Sequence, residues 1–497
     1  MPSLIDLAYS GGDMTEKPRP YPHAIIDREA WIFATGELAS GRWSLCALWG
    51  EPGAAHFALR DESSLDLGIF TLPCPNNRFP SVGRMHPPAI RLERAMRDLW
   101  GLTPEDAPDV RPWLDHGKWG GEDAGGARDY DFLEADGENL HQVAVGPVHA
   151  GIIEPGHFRF TAAGETIVRL EERLGYVHKG VEKLMAGANL EAGLTLAERI
   201  SGDSTVAYAI AYCRAVEAAL DIHSPPRAEW LRALALELER IANHLGDFGA
   251  VCNDAAFSLI HAHCAILREE VLRAAEALFG SRLMRGVVIP GGVRASPPAG
   301  ALEGVRELSD RIERRLDLLN ETYEETSSLQ DRTATTGKVS AALVARFAAG
   351  GYVGRASGRA FDARKAYTFP PYDSLNFETP VLSAGDVDAR VRIRIFEIRQ
   401  SLELVRQIIG QLPGGRHNVD AQFAGEEREG AAIVEGFRGD IFAFVRLAQD
   451  GRIERCHMRD PSWFQWPLLE AAIEGNIIAD FPLCNKSFNC SYSGHDL

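Results

Sequence analysis

A chain of 497 residues is long enough for two or three domains, and its 45% hydrophobic and 25% charged residues suit a folded protein with a large core. With 70 acidic against 52 basic residues the net charge is -18, which excludes nonspecific binding of polyphosphate, so no nucleic-acid partner is expected. No apolar run approaches the roughly 18 residues that span a bilayer, the first residues lack a secretory pattern, and eight scattered cysteines include no C-x-x-C pair. Membrane attachment is therefore expected only through partners, and the thiols are expected to be reduced.

Residues 1–116 mix short strand-like runs, RWSLCALWG and HFALR, with one amphipathic helix, AIRLERAMRDLWGL, and read as a small α+β domain. Residues 117–139 are rich in Gly and Asp without periodicity and read as a linker. Residues 140–497 open on a strand hairpin, HQVAVGPVHAGIIEPGHFRFTAAGETIVRLEERLG. In its turn Glu154 precedes a proline and stands between His149 and His157. These three are candidates for proton handling, because imidazole titrates near neutrality; solvated turn residues are the plainer reading.

The next helix starts within ERISGDSTVAYAIAYCRAVE, where Ser201, Gly202, Asp203 and Ser204 cluster at its first unpaired N–H groups. Serine and aspartate belong there as caps, and the alternative is that the cluster lines a cavity. The segment AEWLRALALELERIANHLGDFGAVCNDAAFSLIHAHCAILREEVLRAAEALFG and the stretch Leu302 to Gln330 carry apolar residues at helical spacing, which predicts bundle helices. Asp254 falls inside this apolar pattern, where a carboxylate is either ion-paired or perturbed. His261 and His263 are two apart on a helix, face different ways, and make no metal pair. The C-terminal part returns to alternating strands with a hairpin turn at Asp450-Gly451.

Five stretches together, GPVHAGIIEPGHFRF, GYVHKGVEKLM, GGYVGRASGRAFDARKAY, VEGFRGDIFAFV and IERCHMRDPSWFQWP, resemble the large subunits of membrane-bound [NiFe] hydrogenases of the formate-hydrogenlyase type. The homologous 49-kDa-type subunit of NADH:quinone oxidoreductase (complex I) shares the fold this resemblance implies, and the N-terminal domain looks like the 30-kDa-type subunit fused in front in the same hydrogenases. The fold class implied is α+β: the small N-terminal domain, then a large, mainly α-helical hydrogenase-like domain with peripheral β-hairpins. Hydrogenases of this kind hold nickel and iron with four cysteines, in R-x-C-G-x-C and D-P-C-x-x-C. Here the first motif reads Arg199-Ile200-Ser201-Gly202-Asp203-Ser204, and the second is laid on FPLCNKSFNC, with Cys484 and Ser487 at the ligand positions. One thiolate of four remains, and hard serine hydroxyls do not replace soft thiolates. No Ni–Fe centre and no other metal bound by this chain is expected.

The complex I branch also lacks these cysteines and uses the cavity for a quinone headgroup. The match to it is partial: the position of its quinone-contacting tyrosine is Gly202, and its hairpin histidine is missing. Glu154 follows the hydrogenase pattern of a proton-transferring glutamate, and Asp254, ten residues after His244, has the spacing of a complex I carboxylate tied to quinone chemistry. Ser201, Ser204, Cys484 and Ser487 are expected to line the vacated cavity. The resemblance implies an oxidoreductase subunit, with electron transfer coupled to proton or ion translocation and quinone as a candidate acceptor. The implied partners are an iron–sulfur small subunit carrying the cluster, a ferredoxin-like subunit and antiporter-like membrane-arm subunits, with the chain peripheral on the cytoplasmic face of the membrane. The alternatives are a non-redox scaffold that couples its neighbours and, third, an active [NiFe] hydrogenase.

Overall fold

The computed structural model describes residues 3–10, 12–14, 19–119, 130–150, 152–421, 423 and 425–497. The centre of the expected linker, residues 120–129, lies outside the described residues, and residues 117–119 and 130–139 contain neither helix nor strand.

The N-terminal part forms a five-stranded sheet from β1 (Gly12–Met14), β2 (His23–Ile26), β3 (Trp43–Glu51), β4 (Ala54–Asp61) and β5 (Leu67–Pro73), in the order β1-β2-β5-β4-β3. Only β2 and β5 run parallel. Helix α1 (Arg28–Ser40) is capped by Asp27, whose carboxylate accepts from Ala30 N, and ends on Gly41 at φ 78°. The amphipathic α2 (Ile90–Trp100) follows, as its spacing predicts.

The expected hairpin is a three-stranded antiparallel sheet of β6 (Leu140–Val145), β7 (His157–Ala163) and β8 (Thr166–Arg173). The bundle is built by α3 (Thr205–Leu220), α4 (Pro226–Asp254), α5 (Ser258–Phe279), α6 (Ala301–Glu325) and α7 (Val387–Gln411). Pro226 sits in the first turn of α4, where its missing N–H costs nothing. A second antiparallel sheet, β9 (Arg428–Glu435), β10 (Asp440–Leu447) and β11 (Ile453–Arg459), packs on α3. The chain then ends in helices rather than strands. Cys484 and Ser487 lie on α8 (Phe481–Phe488), and α9 is Tyr492–Asp496.

One hydrophobic core joins the bundle helices to the second sheet. Another runs from Leu4 and Trp31 through Phe158 and Phe160 to Trp466 and Tyr492, so the N-terminal part, the hairpin and the C-terminal helices share an interior. A third seam packs Trp49 and Ile69 of the first sheet against Phe442 and Phe444 of the second.

Candidate functional site

The loop before α3 comes back to the C-terminal segment. Ser201 Oγ donates to Asp203 Oδ1 at 2.8 Å, and lies 2.8 Å from Ser491 Oγ. A hydroxyl has one proton, so Ser491 is the donor in the second bond. Ser491 Oγ in turn accepts from Gly494 N at 2.9 Å. Arg438, in the turn between β9 and β10, grips Asp203 with both Nη atoms, reaches Ser204 Oγ at 3.3 Å and donates from Nε to Asn489 O at 2.5 Å. Burial works to raise the Asp203 pKa, but the Arg438 guanidinium and the serine hydroxyls win and hold it below the ordinary carboxylate range. Tyr208 donates to Asp460 Oδ2 at 2.5 Å. A Cβ at position 494 would stand 2.4 Å from the same oxygen, so only glycine fits there.

Ser204 occupies the N-cap of α3, yet its hydroxyl is turned to Asp203. The cap is supplied from α4: Glu239 accepts from Val206 N at 2.6 Å and Ala207 N at 3.1 Å. Burial pushes the Glu239 carboxyl up to about 8 against the pull of these two N–H groups. Beside it a cavity of about 210 Å³ opens, lined by Gly202, Asp203, Glu239, Asn243 and Arg268.

The expected hairpin residues divide. Glu154 reaches the cluster, accepting from Ser493 N at 3.3 Å through Oε2. His149 Nε2 donates to Gly156 O (2.7 Å) and His157 Nδ1 to Gly146 O (3.2 Å), so both bind the backbone of their own turn. Burial lowers the His157 pKa, which favours the neutral ring.

Cys484 and Ser487 are placed elsewhere. Ser487 Oγ donates to Cys484 O at 2.6 Å and accepts from Arg390 Nε at 2.9 Å. The Cys484 thiol packs near Gly337 and is pushed up to about 11 by burial, so it stays protonated at neutral pH. The side chain that meets Ser201 is Ser491. Asp254 is half-buried at the end of α4; burial raises its pKa, opposed by Lys486 of α8. Ten residues of helix separate it from His244 by roughly 15 Å, so the two do not form one site. His244 instead stands 2.9 Å from Glu397 in the bundle interior. Among the described residues no group of three His, Cys, Asp or Glu side chains is arranged to hold a metal ion.

Arg438, Glu239, Tyr208–Asp460 and Ser491 were not legible as site residues from spacing alone. A signal existed for Ser491: D-P-C-x-x-C also overlays Asn489-Cys490-Ser491-x-x-Gly494, seven residues beyond the expected register.

Residues 256–430 match the family described as the respiratory-chain NADH dehydrogenase 49 Kd subunit. The chain is 30% identical over 439 residues to formate hydrogenlyase subunit 5 of Escherichia coli (strain K12), covering 84% of this chain and 77% of that protein. It is 29% identical over 375 residues to a subunit of the NADH-quinone oxidoreductase of Koribacter versatilis (strain Ellin345), covering 70% of this chain and 94% of that protein. A chain in the solved structure of the membrane-bound sulfane sulfur reductase, an archaeal respiratory membrane complex, superposes with a TM-score of 0.67 at 27% identity, covering 72% of this chain and 99% of that one. The chain thus belongs to the family of the 49-kDa NADH dehydrogenase subunit and its formate-hydrogenlyase relatives.

Proposed function

We propose that the chain works as a subunit of a membrane-bound, hydrogenase-like or complex-I-like respiratory assembly, and that its buried Ser201–Ser491 cluster, with the cavity beside Gly202, serves electron transfer without a nickel–iron centre. The observation that carries this reading is the contact between Ser201 and Ser491. Ser491 and Gly494, not Cys484 and Ser487, are the C-terminal counterparts of the Ser201–Ser204 pair. Nickel and iron in this family are held by four soft thiolates, whereas this donor set offers three hydroxyls and a glycine, so it does not fit the group. Cys490, next to Ser491, is buried with its pKa pushed well above the ordinary thiol value, and it supplies no thiolate.

The partners proposed are an iron–sulfur small subunit, a ferredoxin-like subunit and antiporter-like membrane subunits. Among the described residues no helix is long and apolar enough to cross a membrane, which fits a peripheral place on the cytoplasmic face through those partners. The acceptor would sit against Gly202, Asp203, Glu239 and Asn243, which line the cavity. At about 210 Å³ the cavity beside Gly202 is below the ~300 Å³ of typical ligand sites, so it suits a small headgroup or a short sulfur chain.

In the purified assembly, an iron–sulfur signal that a physiological donor reduces and that quinone or polysulfide reoxidises would support this reading. An assembly with no cluster at all would favour the scaffold. Asp254→Asn is expected to lower coupled turnover while leaving the melting curve unchanged, because the change is nearly isosteric and removes only a half-buried charge. Unchanged turnover would return Asp254 to a structural role.

A further inference from the structure

Between α2 and the two sheets lies a separate cavity, of about 810 Å³, that shares no lining residue with the one beside Gly202. Its volume falls within the ~300–1,000 Å³ of sites that take a small organic molecule. β3 supplies Leu48 and Trp49, α2 supplies Met96 and Trp100, and β11 supplies Arg455 and His457. Four of these side chains are apolar or aromatic. The β11 pair is polar and, two apart on a strand, shares one face. Leu99, 38% exposed, stands at the mouth.

Glu182, on the short helix Val181–Met185, sets the protons of that pair. Its Oε1 lies 2.6 Å from His457 Nδ1, and its Oε2 lies 2.8 Å from Arg455 Nη2. Burial works to raise the Glu182 carboxyl, but Arg455 and His457 hold it at about 2, so it is a carboxylate and only accepts. His457 Nδ1 must therefore donate. Burial lowers the His457 pKa against the pull of Glu182, so the ring is neutral at neutral pH and its one proton sits on Nδ1. Nε2 is left as a bare acceptor.

His457 is 6% exposed, and among the described residues its Nε2 has no hydrogen-bond partner. Neither has the Nε1 donor of Trp49, 2% exposed, nor the Nε donor of Arg455, 5% exposed. Trp49 lies flat against His457, with ring centroids 4.9 Å apart and planes at 14°. A buried polar atom without a partner is costly, and here three of them belong to residues that line one cavity.

A ketone or a carboxylate has no proton for His457 Nε2. A hydroxyl has one, and its oxygen can accept from Trp49 or Arg455. Trp49, Trp100 and Met96 favour a flat ring beside that hydroxyl, since aromatic faces and thioethers pack well on ring systems. We propose that this cavity is a binding site for a small aromatic alcohol, whose hydroxyl donates to His457 and whose ring packs between β3 and α2.

The test is equilibrium dialysis of the full chain at neutral pH against naphthol and against its methyl ether, which keeps the ring system and lacks the proton. Naphthol is expected to bind once per chain and about tenfold tighter than the ether, the worth of one buried hydrogen bond to an acceptor otherwise left bare. In His457→Phe, which keeps a flat ring against Trp49, the preference should vanish. Absence of naphthol binding, equal binding of the two compounds to wild type, or a preference that survives His457→Phe would each overturn the assignment. Should His457→Phe fail to fold, Leu99→Trp at the exposed mouth decides. It should weaken naphthol binding by narrowing the entrance, and unchanged affinity would equally overturn the site.

Discussion

Glu397→Ala is expected to cost about 3–5 kcal/mol of folding stability, because it strips one partner from a buried ionic cluster. Glu397 is 2% exposed and receives Arg240 Nη2 at 2.5 Å and Arg355 Nε at 2.7 Å, with His244 Nε2 at 2.9 Å. Both guanidinium groups are themselves buried. Arg355 keeps the Glu435 carboxylate at 2.9 Å, but Arg240 keeps, besides the neutral Gly436 carbonyl, the Glu237 carboxylate at 3.6 Å, so the lost carboxylate leaves positive charge undercompensated. Glu397→Gln, which keeps the volume, should fall between the two. Burial acts to raise the Glu397 pKa, yet the two arginines and His244 hold it well below the ordinary value. Its stabilising part is thus present above about pH 4.3 and is lost as pH falls below that. Urea unfolding at neutral pH checks the size, and a loss below about 1 kcal/mol would show that the bundle does not depend on this cluster.

The second large effect is opposite in its pH dependence. Glu239 caps α3 from inside the protein, and burial pushes its carboxyl up to about 8. The folded state then holds a proton that the unfolded state releases near pH 4.3, so stability falls as pH rises from there to about 8. The total is on the order of a few kcal/mol. Glu239→Gln keeps a carbonyl for one of the two N–H groups and removes the titration. Unfolding midpoints measured at acid, neutral and alkaline pH should therefore slope less in the variant than in wild type. A slope equal to that of wild type would place the proton elsewhere.

Much of the architecture could be read from periodicity, because the bundle helices are long and carry an apolar stripe over many turns. The small N-terminal sheet and helix α2 were legible for the same reason. The site was less so, since its geometry is made by contacts between remote parts of the chain. Ser201 was visible through a local motif, but its partner Ser491 lies 290 residues on, and short polar motifs fix no register by themselves. Two readings of the C-terminal motif, seven residues apart, fit the sequence. They are separated by the contact of Ser491 with Ser201 and by the placement of Cys484 on α8, where its carbonyl accepts from Ser487 Oγ and Ser487 accepts from Arg390. The cap on α3 shows the same limit: Ser204 has the right residue type at the right place, yet Glu239 of the neighbouring helix satisfies the N–H groups. The hairpin histidines were noticed because they titrate, and their ring nitrogens turn out to hold their own turn together.

We propose that this family member keeps the hydrogenase-like frame without its nickel–iron centre. Nickel content, measured on the assembly purified from its own host with nickel supplied and maturation factors intact, tests it most directly. Because Ser201, Ser204, Ser491 and Gly494 offer no thiolate, no stoichiometric nickel is predicted. One nickel per chain would contradict the account.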